Sequence, residues 1–146
     1  MTVPHSKKLN IKKVRAIFLC EGKILVVPST RKQGFFALPG GHVEDGETSF
    51  RALQRELQEE LSVQVGEDNV ELLGTFPLRA PKGKGSVITD LYLVHAWQGT
   101  LTPSGNIESM QWVASDDLKK LNTRYNSGML RHVVPALKKR KKLLVS

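Results

Sequence analysis

Three glutamates at helical spacing are the residues of this chain best suited to carry chemistry. Glu56, Glu59 and Glu60 fall close together, and at about 100° per residue an α-helix would present all three on one side. Like charges at such spacings weaken an isolated helix, so a group of this kind needs a positive partner. Carboxylate oxygens are hard ligands that suit Mg²⁺ or Mn²⁺. The cluster therefore predicts a divalent-metal site.

A solvated helix face is the alternative interpretation of the same cluster. Surface helices often carry several glutamates, and Arg55 is placed to pair with them. The residues that precede the cluster favour the metal site. The segment 38–47, LPGGHVEDGE, is rich in glycine, and its glycines allow the backbone to come close to a metal ion or a phosphate.

The glutamates need a helix that is anchored by another face. From Thr48 to Ser62, apolar residues recur at spacings of three and four positions on one stripe. We therefore expect an amphipathic helix over this range, with its glutamates beside a buried stripe made of Phe50, Leu53, Leu57 and Leu61.

Short apolar runs on both sides of this helix predict the strands that support it. Residues 14–20 and 24–27 flank a tight turn and predict a hairpin. Residues 35–38 predict a third strand, which ends where Pro39-Gly40-Gly41 must turn and cannot continue a ladder. Later strands are expected at 70–76, 87–97 and 109–113, and helices from about Ser115 and after Ser127. The order predicts an α/β fold with a mixed β-sheet sandwiched between α-helices.

The net charge of +8 is unevenly distributed along the 146 residues. Five positive charges lie within residues 7–15 and five within residues 138–142, so the body between them carries −2. We expect a single domain over residues 1–146, with a basic N-terminal segment and a basic C-terminal tail over about residues 138–146. Nucleic acid is not the expected partner of the fold itself. The tail is interpreted either as a solvated helix end or as a contact for RNA or an anionic surface.

Cysteine content and hydropathy indicate the compartment. Cys20 is the only cysteine, which excludes an intramolecular disulfide, and its place in an apolar run predicts a buried, inert thiol. No run approaches the roughly 20 apolar residues that span a bilayer, and the N-terminus is unlike a signal peptide. We expect a cytoplasmic protein without a membrane partner, and the sequence leaves both a monomer and a homodimer open.

The segment from Gly41 to Val63 resembles the Nudix box, G-x5-E-x7-R-E-U-x-E-E-x-G-U, in which U is a bulky aliphatic residue. Every defined position matches except one, Ser62, where the family usually has glycine. Glycine there serves an αL helix cap, which serine adopts at modest strain. The resemblance to the Nudix (MutT-like) hydrolase family extends from about Lys13 to Leu137 and implies the Nudix fold.

The resemblance implies a hydrolase that directs water onto the pyrophosphate linkage of nucleoside diphosphate derivatives, with Mg²⁺ as the cofactor and Mn²⁺ as its substitute. Glu56 and Glu60 match the family's principal metal ligands, and Glu59 matches a further ligand or the proton acceptor. The carbonyl of Gly40 is implied as an extra ligand. The remaining pair, Arg55 and Glu47, matches the residues that hold the box in shape, which agrees with the need to orient crowded carboxylates.

The general base stays open between a box glutamate and Glu108, which precedes the last predicted strand. Glu44 is close to the metal approach and is equally ambiguous. The four histidines show no spacing typical of a metal site, and only His42 lies near the predicted one; the others are His5, His95 and His132.

The substrate is less well defined than the reaction. Arg79 and Lys82 lie in a basic connection, residues 79–86, which is interpreted either as a substrate-phosphate contact or as a plain exposed loop. The implied substrate is a small nucleotide, either a nucleoside triphosphate or an ADP-ribose-like molecule. Two rival functions are a Nudix-fold sensor that binds nucleotide without hydrolysis and an isoprenoid diphosphate isomerase. The complete set of box glutamates argues against the sensor, and a Cys20 buried in a strand argues against the isomerase.

Overall fold

The computed structural model of the protein describes residues 10–29, 34–79 and 86–114. The helices predicted from Ser115 and after Ser127, and the basic tail, lie outside these residues. In chain order the elements are β1 (Asn10–Cys20), β2 (Lys23–Pro28), β3 (Phe36–Ala37), β4 (Gly40–His42), α1 (Ser49–Leu61), a 3₁₀ turn (Glu67–Asn69), β5 (Val70–Arg79), β6 (Ser86–Val94) and β7 (Gln111–Ala114).

The sheet is mixed, as the sequence predicts. Its main path runs β3-β2-β1-β6-β5, while β4 pairs with β1 and β7 pairs with β2. Strands β1 and β6 are parallel from Asn10↔Ser86 to Phe18↔Val94, whereas β5 and β6 are antiparallel. The described part thus has a mixed sheet with α1 packed on it, while the predicted second helical layer falls outside the described residues.

The predicted hairpin between β1 and β2 is confirmed. Leu19 pairs with Ile24, and Cys20 pairs with Lys23. The two turn residues, Glu21 and Gly22, both have positive φ, at 51° and 77°, as a two-residue turn of type I′ requires. The prediction of a buried Cys20 is wrong, because this residue is the last of β1 and is exposed beside the turn.

The chain turns at Pro39 as predicted, but the expectation that no ladder continues there is wrong. Gly40–His42 forms β4 and pairs antiparallel with β1, with Gly40 opposite Arg15 and Gly41 opposite Val14. Gly40 makes this approach possible, because it has a φ of +143° and a β-carbon there would lie 2.0 Å from the carbonyl oxygen of Val14. A side chain at position 40 would separate the two strands.

Helix α1 is anchored by the predicted apolar stripe. Leu53, Leu57 and Leu61 are fully buried and Phe50 packs against the same cluster. Their neighbours in this cluster include Val14, Ala16 and Phe18 on one face of β1, together with residues of β2 and β6. Each buried leucine contributes about 1.5–3 kcal/mol, so packing fixes the rotation of the helix and therefore the direction of its glutamates.

Both ends of α1 are capped. Thr48 accepts a hydrogen bond from the Arg51 amide at the N-terminus. At the C-terminus Ser62 adopts the αL conformation, with φ 62° and ψ 30°, and its amide donates to the Gln58 carbonyl. The prediction that serine takes the αL cap in place of glycine is confirmed.

Among residues 10–29, 34–79 and 86–114, no helix has the length and apolar composition of a membrane span.

A polar cluster fastens the first turn of α1 to the sheet. Asp90 lies on β6 and is 5% exposed. It accepts hydrogen bonds from the hydroxyl of Ser49 and from that of Thr75 at 2.7 Å, and Lys12 Nζ lies 3.3 Å away. Burial raises the pKa of Asp90, but these donors outweigh it and the net pKa is lowered. The carboxylate therefore joins three strands and the helix start.

Candidate metal and active site

Two adjacent glycines bring β4 against the glutamates of α1. A β-carbon at Gly41 would lie 2.2 Å from Glu56 Oε2, so the Glu56 carboxylate can keep this position only while residue 41 is glycine. The amide of Gly40 donates to Glu60 Oε1 at 3.0 Å. Because Glu56 and Glu60 are four residues apart on the helix, their carboxylates meet at one end of β4.

Glu56 and Glu60 are two acids in one site, and burial together with this pairing raises the pKa of Glu60. Burial raises the pKa of Glu60 to about 7, and the neighbouring Glu56 adds to the rise, while the Gly40 amide and Arg15 oppose it. Two carboxylates that interact in one buried site cannot both ionise freely without a cation or a shared proton. The site thus favours either a proton or a positive ligand between them.

Arg55 braces the approach to the helix. Its Nε and Nη2 donate to the two oxygens of Glu47, at 2.7 and 2.9 Å, and Nη2 also donates to the His42 carbonyl at 2.9 Å. Hydrogen bonding to Arg55, with further help from the Glu44 amide, lowers the pKa of Glu47 to about 2. The partner carboxylate likewise raises the pKa of Arg55. The guanidinium links the loop before α1 to the end of β4.

Arg55 also faces the glutamates of α1. Its Nη1 lies 3.2 Å from Glu56 Oε2 and 3.5 Å from Glu59 Oε1. In residues 10–29, 34–79 and 86–114, no three acidic, histidine or cysteine side chains converge on one point. Glu59 turns toward Arg55 while Glu60 turns toward Gly40. The Glu59 side chain is 59% exposed, so neighbouring atoms do not lock its rotamer.

The donor set fits a hard divalent cation. Glu56 and Glu60 supply carboxylate oxygens side by side, and the missing β-carbon at Gly41 leaves the space in which the Glu56 carboxylate sits. Oxygen-only donors of this kind suit Mg²⁺ or Mn²⁺ rather than the softer metals that select thiolate or imidazole.

An open cleft of about 1050 Å³ adjoins the glutamates, a size that accommodates a nucleotide. Glu108 lies on its wall together with Glu56, Glu59 and Glu60. Sequence reasoning missed most of the other residues that line the cleft, and no short-range signal marks them, because they come from the end of β2 and from loops distant in sequence. These residues are Pro28, Ser29, Gly34, Phe35, Asn106, Ile107 and Ser109.

The described part of the chain covers only some of the other residues that the sequence singled out. Arg79 is the last residue of β5, but its side chain and all of Lys82 lie outside what the structure describes. His42 lines the cleft, whereas His95 lies 3.2 Å from Glu71. Cys20 is exposed but is not among the described residues that line the cleft. Its exposure therefore does not support the isomerase function. His5 and His132 are outside the described ranges.

Known proteins are similar to this chain in sequence. The NUDIX domain matches residues 11–134. The 8-oxo-dGTP diphosphatase of Proteus vulgaris is 39% identical over 69 residues, which cover 47% of this chain and 58% of that protein. The match thus spans less than two thirds of that curated relative.

Solved structures share the fold. The ORF135 protein of E. coli has a TM-score of 0.72 at 25% identity, covering 88% of this chain and 91% of that one. The NUDIX domain of Shewanella oneidensis NrtR, solved with ADP ribose, has a TM-score of 0.70 at 18% identity and covers 95% and 93%. With the family match extending over most of its length, and with the fold in agreement, this chain belongs to the Nudix (MutT-like) hydrolase family.

Proposed function

We propose that this protein is a divalent-metal-dependent pyrophosphohydrolase that cleaves the pyrophosphate linkage of nucleoside diphosphate derivatives. The observation that carries the proposal is the pair formed by Glu56 and Glu60 against Gly40 and Gly41. A β-carbon at Gly40 would meet the Val14 backbone and one at Gly41 would meet the Glu56 carboxylate, and the raised pKa of Glu60 marks a place where a cation is electrostatically favoured.

Glu56, Glu60 and Glu59 would hold the metal through their carboxylates. Gly40 would add its carbonyl, because a residue of an antiparallel ladder directs its N–H and C=O to the same side, and the Gly40 N–H already points to Glu60. Mg²⁺, or Mn²⁺ in its place, supplies charge neutralisation at phosphate oxygens and Lewis acidity toward water. Arg55 and Glu47 act indirectly, by holding the glutamates and β4 in register.

Two glutamates compete for the role of proton acceptor. Glu59 is on α1 and Glu108 is on the loop before β7, and both face the same cleft. Replacing each in turn with glutamine separates them, because loss of the acceptor lowers kcat by about 10²- to 10⁴-fold, whereas loss of a residue that only lines the cleft affects KM.

The substrate is proposed to be a small nucleotide of one of two kinds. Similarity to an 8-oxo-dGTP diphosphatase supports a nucleoside triphosphate, and a Nudix domain solved with ADP ribose supports an ADP-ribose-like molecule. Arg79 and Lys82 are proposed to contact its phosphates, which agrees with their charge and with their position in the connection between β5 and β6. We also propose that the chain forms a single domain that acts in the cytoplasm.

A panel of nucleotides tests the proposal. The protein is incubated with Mg²⁺ and nucleoside triphosphates, 8-oxo-dGTP, ADP-ribose and dinucleoside polyphosphates, and products are separated by ion-exchange chromatography. We expect a nucleoside monophosphate from at least one member and no product after chelation of the metal. Tight nucleotide binding without turnover on every member would instead support the sensor function.

A further inference from the structure

We propose that Ser62 and Ser104 form a hydroxyl relay that positions the segment Ser104–Glu108 against the C-terminal end of α1, and so sets the cleft wall that carries Glu108. Ser62 replaces the glycine of the Nudix box, so the relay would be a feature of this chain rather than of the box. The inference rests on the proposed function for its catalytic consequence, but not for the contact itself.

The contacts lie at the last carbonyls of the helix. Ser62 Oγ donates to Ser104 Oγ at 3.1 Å, and Ser104 Oγ donates to the Glu59 carbonyl at 2.6 Å. The Ser104 amide donates to the Glu60 carbonyl at 2.9 Å. The segment is therefore attached to the backbone of two of the proposed metal ligands, Glu59 and Glu60.

The conformation of Ser62 is tied to this contact. Its φ of 62° is rarely adopted by residues other than glycine, yet its hydroxyl bonds across the helix end to Ser104. Glycine would adopt the same backbone with less strain but would leave Ser104 without this donor. Serine at position 62 thus has a more strained backbone than glycine would have, but its hydroxyl gains a hydrogen bond to the loop.

The link continues from Ser104 to the cleft. The Ile107 amide donates to the Ser104 carbonyl at 3.0 Å, and Ile107 is 6% exposed in the core cluster around α1. Gly105, with φ +62°, passes so close that a β-carbon there would lie 3.0 Å from the Glu59 carbonyl. Glu108 follows directly and lines the same cleft as the box glutamates.

The two hydroxyls add to a cap that already exists. Backbone amides of Ser62, Thr102 and Ser104 satisfy the carbonyls of Gln58, Leu61 and Glu60, so the helix end does not depend on the relay. A positioning role therefore predicts a change in turnover that does not follow stability.

Replacing Ser62 by glycine and by alanine separates the two effects. Both S62G and S62A remove the hydroxyl, but glycine relieves the αL strain and alanine retains it. We expect Tm to be higher for S62G than for S62A, while both lower kcat to a similar extent, roughly fivefold, with KM unchanged. S104A should lower kcat at least as much, and the double variant S62G/S104A should equal S104A.

Thr102→Val is the matched control. The Thr102 hydroxyl donates within the same loop, to the Thr100 carbonyl at 2.9 Å, and its replacement leaves the relay intact. We expect kcat of this variant to equal that of the wild type. Hydrogen exchange at the amides of Ser104 and Ile107 gives a second readout that needs no substrate, and it should quicken roughly fivefold in S62G and S104A but not in T102V.

The outcomes separate the relay from the proposed function. Unchanged exchange in S62G and S104A, or quicker exchange with kcat equal to wild type, would overturn the relay. A fall in kcat that follows Tm rather than the hydroxyl would also overturn it. If the wild type hydrolyses no nucleotide while exchange quickens in both variants, the proposed function fails and the positioning of the segment stands.

Discussion

The Glu56 carboxylate lies against the α-carbon of Gly41, so close that a β-carbon at position 41 would be 2.2 Å from Glu56 Oε2. The nearest groups are the atoms of one carboxylate rather than a general crowd of neighbours. A methyl group at this position therefore acts on the proposed metal ligand directly.

Gly41→Ala should displace the Glu56 carboxylate and lower kcat/KM by about 100-fold, the usual effect of misplacing a catalytic group by about 1 Å. Steady-state kinetics at saturating Mg²⁺ measure this. Gly66→Ala is the control, because a β-carbon there meets nothing nearer than the Asn69 side chain at 3.8 Å. Equal activity of the two variants would contradict the proposed role of Glu56.

Arg55→Lys retains the charge but loses the planar fork that bonds to Glu47 and to the His42 carbonyl. We expect a loss of roughly 1–3 kcal/mol in the free energy of unfolding and about a 10- to 100-fold loss in kcat. Urea titration and steady-state kinetics measure the two. Arg51→Lys is the control on the same helix, where the guanidinium donates to Gln54, and it should change neither quantity. Equal effects in both variants would contradict the bracing role of Arg55.

Asp90→Asn should destabilise the protein most at neutral pH. The folded pKa of Asp90 is lowered, so its contribution is fully present above the unfolded pKa and is lost as the pH falls through the folded one. The difference in free energy of unfolding from wild type should be about 2 kcal/mol at pH 7 and should shrink below about pH 4. Urea titrations at several pH values test this, with the exposed Asp68→Asn as control. A difference that grows on acidification would contradict it.

Metal binding should release a proton from Glu60. Its folded pKa is raised to about 7, so the metal-free fold loses stability as the pH rises from the unfolded value toward 7, and a bound cation reverses this. Mn²⁺ affinity should therefore rise between about pH 5.5 and 7.5. Calorimetry in buffers of different ionisation enthalpy measures both affinity and proton release. In Glu60→Gln the release should disappear; a pH-independent affinity in the wild type would contradict the assignment.

Local patterns in the sequence predict the helix and its cap. The spacing of Leu53, Leu57 and Leu61 predicts the buried stripe, and the box position of Ser62 predicts an αL residue. The stripe is visible as a spacing along the sequence and the αL residue follows from the box position, so neither prediction requires the distant contacts to be known. Cys20 shows the limit of such patterns, because an apolar run does not reveal where its strand reaches the surface.

Contacts between distant parts of the chain are not visible in the same way. Nothing local to Gly40 reveals that it lies opposite Arg15, or that Ser104 reaches the end of α1. The donors around Asp90 come from three other elements, although a lone acid within the apolar run of β6 is a partial sign. The site is therefore predictable as a set of ligands, but the cleft around it is not.

The most direct measurement is the turnover of Glu60→Gln with Mg²⁺ on the best nucleotide of the panel, beside wild type and the exposed Glu67→Gln. The Gln variant keeps the size and an acceptor for the Gly40 amide but removes the charge. We predict a kcat at least about 100-fold below wild type for Glu60→Gln, with Glu67→Gln unchanged and both variants folded. Near-normal turnover in Glu60→Gln would contradict the claim that the Glu56 and Glu60 pair carries the hydrolysis.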